Sequence, residues 1–330
     1  MRDFSTKFLY EFMTHLYRIL FSFGIVVALA VLPMTAKAQA ATVAIAPMDA
    51  TEFFKLGVEE TRSEKYEQAI TDFTQVIELD ADFAAAYSNR CLVYLQLGDY
   101  TKAADDCTTS LQLNPDNTEA YLNRGLAYYR LGNYQSAISE YAQVIEHDSN
   151  DFRAYYNRGL AHFELKDYER AIADYNQALR ENHQRSNPLL ADVYNDRGLA
   201  QLMLENVPDA IADFSLAISI DGSNQRAFYN RACACHRNND YTGAIRDFTL
   251  ALQIDPNHAE AYVNRGLIHH ELGLQQAALS DLKTASKHFD ERGNKRAYQH
   301  TLALIERLQQ LLLSSDESVV SQAMGIGVFA

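Results

Sequence analysis

The chain has 330 residues and a formal net charge of −14 at neutral pH. That acidity argues against nucleic acid as a partner, because phosphate binding wants a basic surface. Gly (14) and Pro (6) are sparse and Tyr (20) is abundant, so the body reads as folded and helical, not disordered.

The N-terminus has its own pattern. Arg2, Lys7 and Arg18 form a weakly basic start, followed by an almost wholly apolar run from Ile19 to Met34. That run is short for a membrane span, which needs about 20 residues. Ala36-Lys37-Ala38 then supplies a small-x-small site. Basic start, apolar middle and cleavage site together predict a secretory signal peptide over 1–38, with an uncleaved anchor as the alternative. The chain is therefore expected to be exported, periplasmic or secreted, and free of the membrane once cleaved. Residues 39–49 read as a linker.

From residue 50 the sequence repeats. Ser88-Asn89-Arg90, Leu122-Asn123-Arg124, Tyr156-Asn157-Arg158, Asn195-Asp196-Arg197, Tyr229-Asn230-Arg231 and Val263-Asn264-Arg265 recur every 34 residues, save for one longer gap. An aromatic precedes each: Tyr87, Tyr121, Tyr155, Tyr194, Phe228 and Tyr262. A fixed period of this size means stacked supersecondary units with no single closed core. The units are 50–83, 84–117, 118–151, 152–185, 191–224, 225–258 and 259–292, with 186–190 inserted after the fourth.

Counting places from the start of a unit, place eight holds Gly57, Cys91, Gly125, Gly159, Gly198, Ala232 and Gly266. Place twenty is Ala in all seven. Place twenty-four holds Phe73, Cys107, Tyr141, Tyr175, Phe214, Phe248 and Leu282. Within one unit, apolar residues recur at helical spacing from Tyr121 to Leu131 and again from Ala137 to Ile145, with Gly132-Asn133-Tyr134 between. Each unit is thus an antiparallel helix pair whose small residues let the backbones approach, while the aromatics fill the space between neighbouring units. One pair cannot bury both faces, so stability comes from stacking. A further helix with Tyr298, Leu302, Ile305, Leu308 and Leu312 at its apolar positions predicts a cap over 293–313, and 314–330 reads as a flexible tail.

These positions resemble the tetratricopeptide repeat (TPR) family, over residues 50–292. The departures are Cys91 and Ala232 in place of Gly, and Arg beside the Asn where the family usually has Leu. The resemblance implies an all-α, right-handed TPR superhelix of seven units plus a C-terminal capping helix. It also implies that the first helices line a concave groove. That groove would present Asn89, Asn123, Asn157, Asn230 and Asn264, with Asp196 in the fourth slot. One row on stand Leu92, Leu126, Leu160, Leu199, Cys233 and Leu267, and one turn further Leu95, Tyr129, Phe163, Leu202, His236 and His270. A side-chain amide both donates and accepts, so an Asn row can pair with a peptide backbone of any sequence. The expected function is a non-enzymatic module that binds an extended or helical segment of another protein. The competing reading is that each Asn is spent on backbone or a neighbouring Arg, since buried polar groups must be satisfied. A second function class is an envelope-complex assembly scaffold acting through convex or end surfaces. A carboxylate clamp is excluded, since unit three offers Glu119 and Asn123 and unit one Phe54 and Val58 where cations would be needed.

The repeated Arg faces a repeated acid at place twenty-three: Asp72, Asp106, Glu140, Asp174, Asp213, Asp247 and Asp281. An ion-pair ladder follows, within or between units. Cys91 and Cys107 lie on facing helices of unit two and can pair in an exported protein; two buried free thiols are the alternative. Cys233 and Cys235 face different ways on one helix. Cys233, His236 and His270 could converge on a soft ion, but the spacing is loose and no metal site is assigned. No nucleophile elbow, paired-carboxylate cleft or cofactor loop stands out, so neither catalysis nor a cofactor is expected.

Overall fold

A computed structural model describes residues 48–182 and 189–324, so the expected signal peptide at 1–38 lies outside the described residues. Among them the chain forms fifteen α-helices and no strand. Seven antiparallel pairs follow in order: α1 (Ala50–Arg62) with α2 (Tyr66–Leu79), α3 (Ala84–Leu97) with α4 (Tyr100–Leu113), α5 (Thr118–Arg130) with α6 (Tyr134–His147), and α7 (Phe152–Glu164) with α8 (Tyr168–Glu181). Then come α9 (Leu189–Met203) with α10 (Val207–Ile220), α11 (Gln225–Arg237) with α12 (Tyr241–Ile254), α13 (Ala259–Glu271) with α14 (Gln275–Glu291), and the final α15 (Lys295–Met324).

Local signals start and stop these helices. Asp49 caps α1 in a reciprocal box with Glu52, and Asp99, Asn117, Asp151, Asp167, Asn224 and Asp240 each accept a backbone N–H near the start of their helices. The turn between paired helices uses one residue in the left-handed region, always at place fifteen. Gly98, Gly132 and Gly273 fill it comfortably, whereas Glu64, Lys166, Glu205 and Asn239 hold φ near +60°.

Place twenty explains how the helices come so close: all seven alanines there are fully buried. The ring at place twenty-four lies on the place-eight glycine of its own unit. A Cβ added at Gly125 would stand 2.6 Å from Tyr141 Cε1, and the same collision recurs for Gly57, Gly159 and Gly198. Stacking then extends the core: Tyr141 and Val144 of unit three pack with Ala154 and Ala161 of unit four. First helices of successive units also touch one another along the whole array, from α1–α3 to α11–α13, and no two second helices meet as closely. The first helices therefore form one continuous wall of an α-solenoid.

Two expected boundaries move. Leu189 and Leu190, counted with the insertion between units four and five, begin α9 and lengthen the first helix of unit five. The terminal helix buries Ile305 and Leu308 against Ala278, Leu279 and Leu282, as a cap must, but it does not stop at 313. It runs on through 314–324, where a flexible tail was expected.

Candidate peptide-binding groove

Each Arg at place seven pairs with the acid of its own unit: Arg90–Asp106, Arg124–Glu140, Arg158–Asp174, Arg197–Asp213, Arg231–Asp247 and Arg265–Asp281. Five are two-point contacts at 2.5–3.0 Å. Glu140 is one methylene longer than Asp and receives a single bond, so Arg124 Nε is buried without a partner. The acid left over is Asp72, whose unit has Leu56 at place seven. The same guanidinium also reaches back. Its Nη1 donates to place twenty-five of the preceding unit: Arg90 to Thr74, Arg124 to Thr108, Arg197 to Asn176, Arg231 to Ser215 and Arg265 to Thr249, at 2.6–3.2 Å. Unit three has Ala142 there, so Arg158 lacks this tie. Each guanidinium also lies 5.3–5.8 Å from the ring centroid at place four. These arginines clamp the units and are not offered to a ligand.

The asparagine row divides into two halves. In units five to seven it is consumed by rungs running from place five of one unit to place six of the next. Tyr156 donates its hydroxyl to Asp196 (2.8 Å), Asn230 donates to Asn195 (2.9 Å), and Asn264 donates to the Tyr229 hydroxyl (3.0 Å). Asp196 also receives Asn195 (3.1 Å) and Arg226 (3.0 Å). Its burial pushes the carboxyl pKa up, and the Arg226 charge and the Tyr156 and Asn195 bonds pull it back. Asn89 turns onto its own helix, donating to the Ala85 carbonyl at 2.8 Å. Asn230, Asn264 and Asn89, all expected in the ligand row, each donate to the array itself.

Asn123 and Asn157 differ. Place five of the preceding unit is Ser88 or Leu122; Ser88 instead accepts from Asn117 (3.3 Å), and Leu122 has nothing to offer. Among the described residues neither amide has a hydrogen-bond partner, and both side chains are half-buried on the wall. Beside them stand Leu126 and Leu160, also half-buried. Tyr129 packs edge-on against Tyr134 (5.5 Å between centroids), and Phe163 against Tyr168 (5.3 Å). The Tyr129 hydroxyl donates to Glu164 at 3.4 Å, and burial, reinforced by the Glu164 charge, pushes its pKa up to about 12. Leu95 and Leu202, expected in this row, are buried in the unit cores instead.

Family models described as the tetratricopeptide repeat match residues 84–117 and 122–186, and a TPR-repeat model matches 57–98 and 233–273. The chain belongs to the tetratricopeptide repeat family. Comparison with curated proteins gives no match. Among solved structures, a TPR protein from Parabacteroides merdae superposes with TM-score 0.60 at 19% identity, over 77% of this chain and 98% of its own. PilF of Pseudomonas aeruginosa superposes with TM-score 0.57 at 20% identity, over 67% of this chain and 96% of its own. The Cut9–Hcn1 hetero-tetramer of the APC/C gives TM-score 0.58 at 19% identity, over 68% of this chain and 43% of that one. At these identities the likeness establishes the fold. TPR arrays are protein–protein interaction modules, and this chain is one.

Two further expectations concern the sulfurs. Cys91 and Cys107 form a disulfide in this TPR array, with Cα atoms 5.5 Å apart. They stand where other units have the glycine and the ring, at the closest approach of the two helices. Cys233 and Cys235 are free, and burial raises the Cys233 thiol to about 11, so it is no thiolate at neutral pH. Cys233, His236 and His270 do not converge: His236 Nε2 faces Glu271 (3.1 Å) and His270 Nδ1 faces Gln275 (2.8 Å). Among the described residues no cluster of three or more His, Cys, Asp or Glu could hold a metal ion. No described helix is long and apolar enough to cross a membrane.

The place-five to place-six rungs, the place-twenty-five acceptors and the Glu164 contact escaped the sequence reading. The rungs and the Glu164 contact join residues 35–40 apart in the chain, and the place-twenty-five acceptors lie 16 or 21 residues before their arginines, in the preceding unit. A partial signal was present at place five: Tyr156, Asn195 and Tyr229 are polar and long enough to reach place six of the next unit, whereas Ser88 is short and Leu122 apolar.

Proposed function

We propose that the wall of units three and four binds an extended segment of another protein, without catalysis. The observation that carries this reading is the pair Asn123 and Asn157, successive amides with their bonding capacity unspent, flanked by Leu126, Leu160, Tyr129 and Phe163. An amide left half-open beside apolar side chains suits a peptide main chain, with apolar burial supplying affinity and the amides fixing register. The C-terminal half of the row serves to lock units together. To test this, a photo-crosslinking amino acid placed at Leu126 would trap the partner, and binding of that partner would then be measured. Replacing Asn123 and Asn157 by Ala should weaken it, and replacing Asn89, whose amide is turned onto its own helix, should not. Equal binding by all three proteins would move function to the convex or end surfaces, as an assembly scaffold would have it.

We also infer that the chain is exported. The basic-apolar-small pattern of residues 1–38 supports this, and so does the buried disulfide, because such bonds persist in oxidising compartments and are rare in the cytosol. Cell fractionation with thiol trapping is the test. Accumulation in the cytosol with Cys91 and Cys107 reduced would overturn it.

A further inference from the structure

We propose that the segment bound on units three and four carries a Lys or Arg whose cation sits against the Tyr129 and Phe163 rings and pairs with Glu164. This rests on the groove reading above and adds the chemistry of the partner.

Glu164 is exposed at the end of α7, and among the described residues its one polar contact is the long bond from Tyr129 at 3.4 Å. Among the described residues no cation pairs with it. The neighbouring arginines are already taken: Arg153 by Glu119 and Asp151, Arg158 by Asp174, Arg124 by Glu140. Arg130, next to Tyr129, is exposed and makes no ion pair with Glu164. Tyr129, paired with Tyr134, meets this carboxylate, and the pair Phe163–Tyr168 belongs to the carboxylate's own unit; all four rings are half-buried. A cation over an aromatic face next to an unpaired carboxylate is favoured by both interactions at once.

The repeat supplies a control. In units six and seven the same places hold a ring pair, His236 with Tyr241 (5.7 Å), and an acid, Glu271, 3.1 Å from His236 Nε2. There an imidazole nitrogen meets the acid directly. In units three and four the equivalent ring is Tyr129, which reaches the acid only through a long hydroxyl bond, so the carboxylate is open to a cation from a ligand.

The test pans a random dodecapeptide phage library on the immobilised wild-type protein and on three variants: Glu164→Gln, Asn264→Ala, and Asn123→Ala combined with Asn157→Ala. Glu164 is exposed, so its replacement leaves the fold intact. The expected result is enrichment of Lys or Arg on wild type and on Asn264→Ala, lost on Glu164→Gln. A synthetic peptide of the recovered sequence should bind Glu164→Gln roughly two- to fivefold more weakly. Basic enrichment that persists unchanged on Glu164→Gln would come from the overall negative charge and would overturn the assignment. Peptides that need Asn123 and Asn157 yet show no basic bias would overturn it too, while leaving the groove reading in place. Peptides indifferent to Asn123 and Asn157, or none recovered, would overturn both.

Discussion

Unit two joins its helices by a different device from its neighbours, and exchanging the devices tests the packing argument. In unit three the missing Cβ of Gly125 makes room for Tyr141. In unit two the equivalent places are Cys91 and Cys107, both fully buried and separated by 16 residues. Closing a loop of that size removes unfolded-chain entropy that stabilises the fold by about 3 kcal/mol. Cys107→Tyr alone loses that term and drives a ring into the Cys91 Cβ, adding about 1–3 kcal/mol of overpacking. Cys91→Gly alone loses the bond and leaves space unfilled. The double variant rebuilds the contact of unit three, so under reducing conditions, where the disulfide term is absent from all four proteins, a double-mutant cycle should show a favourable coupling of about 1–3 kcal/mol. Its stability should also be indifferent to reductant, unlike that of the wild type. Repeat arrays open locally, so the readout is amide hydrogen exchange of α3 and α4, with and without reductant. Two results would refute the reasoning: Cys107→Tyr protected as well as the double variant, or wild-type exchange unaffected by reduction.

Four further outcomes follow from the same geometry. Arg197→Met should cost about 3–5 kcal/mol in urea unfolding, since Asp213 would be left buried without its cation, and adding Asp213→Leu should recover much of that. Asp72→Asn, where no clamp exists, should stay within about 0.5 kcal/mol of wild type. Lys166→Gly and Glu205→Gly should each raise the melting midpoint, by about 0.5–1 kcal/mol of stability, because both residues hold positive φ that glycine adopts freely. Asp196→Asn should stabilise the array at pH 7. Burial raises the folded-state pKa of Asp196 above its unfolded value near 4, so the ionised form weakens the fold at neutral pH. Stability is regained as pH falls through the folded pKa toward about 4, so the advantage of the variant should shrink over that interval; an advantage constant with pH would refute the cause.

The sequence by itself determined the helix pairs, their number and the register of the solenoid. Those properties rest on short-range periodicity and on small and large residues recurring at fixed places, so they are written locally: the alanines at place twenty and Gly125 beneath Tyr141 could be paired by counting. Which partner each polar side chain takes was decided only by tertiary structure. Arg90 could have reached the acid of its own unit or of the next. The stacking angle gave it Asp106 and, from the unit before, Thr74. Asn123 and Asn264 occupy the same place in their units, yet Asn123 is open and Asn264 is closed by Tyr229. That difference lies in a residue 35 positions upstream of Asn264, and it acts only once the two first helices lie side by side. Repetition fixes where a side chain stands; its availability to a partner depends on the neighbour that stacking sets against it.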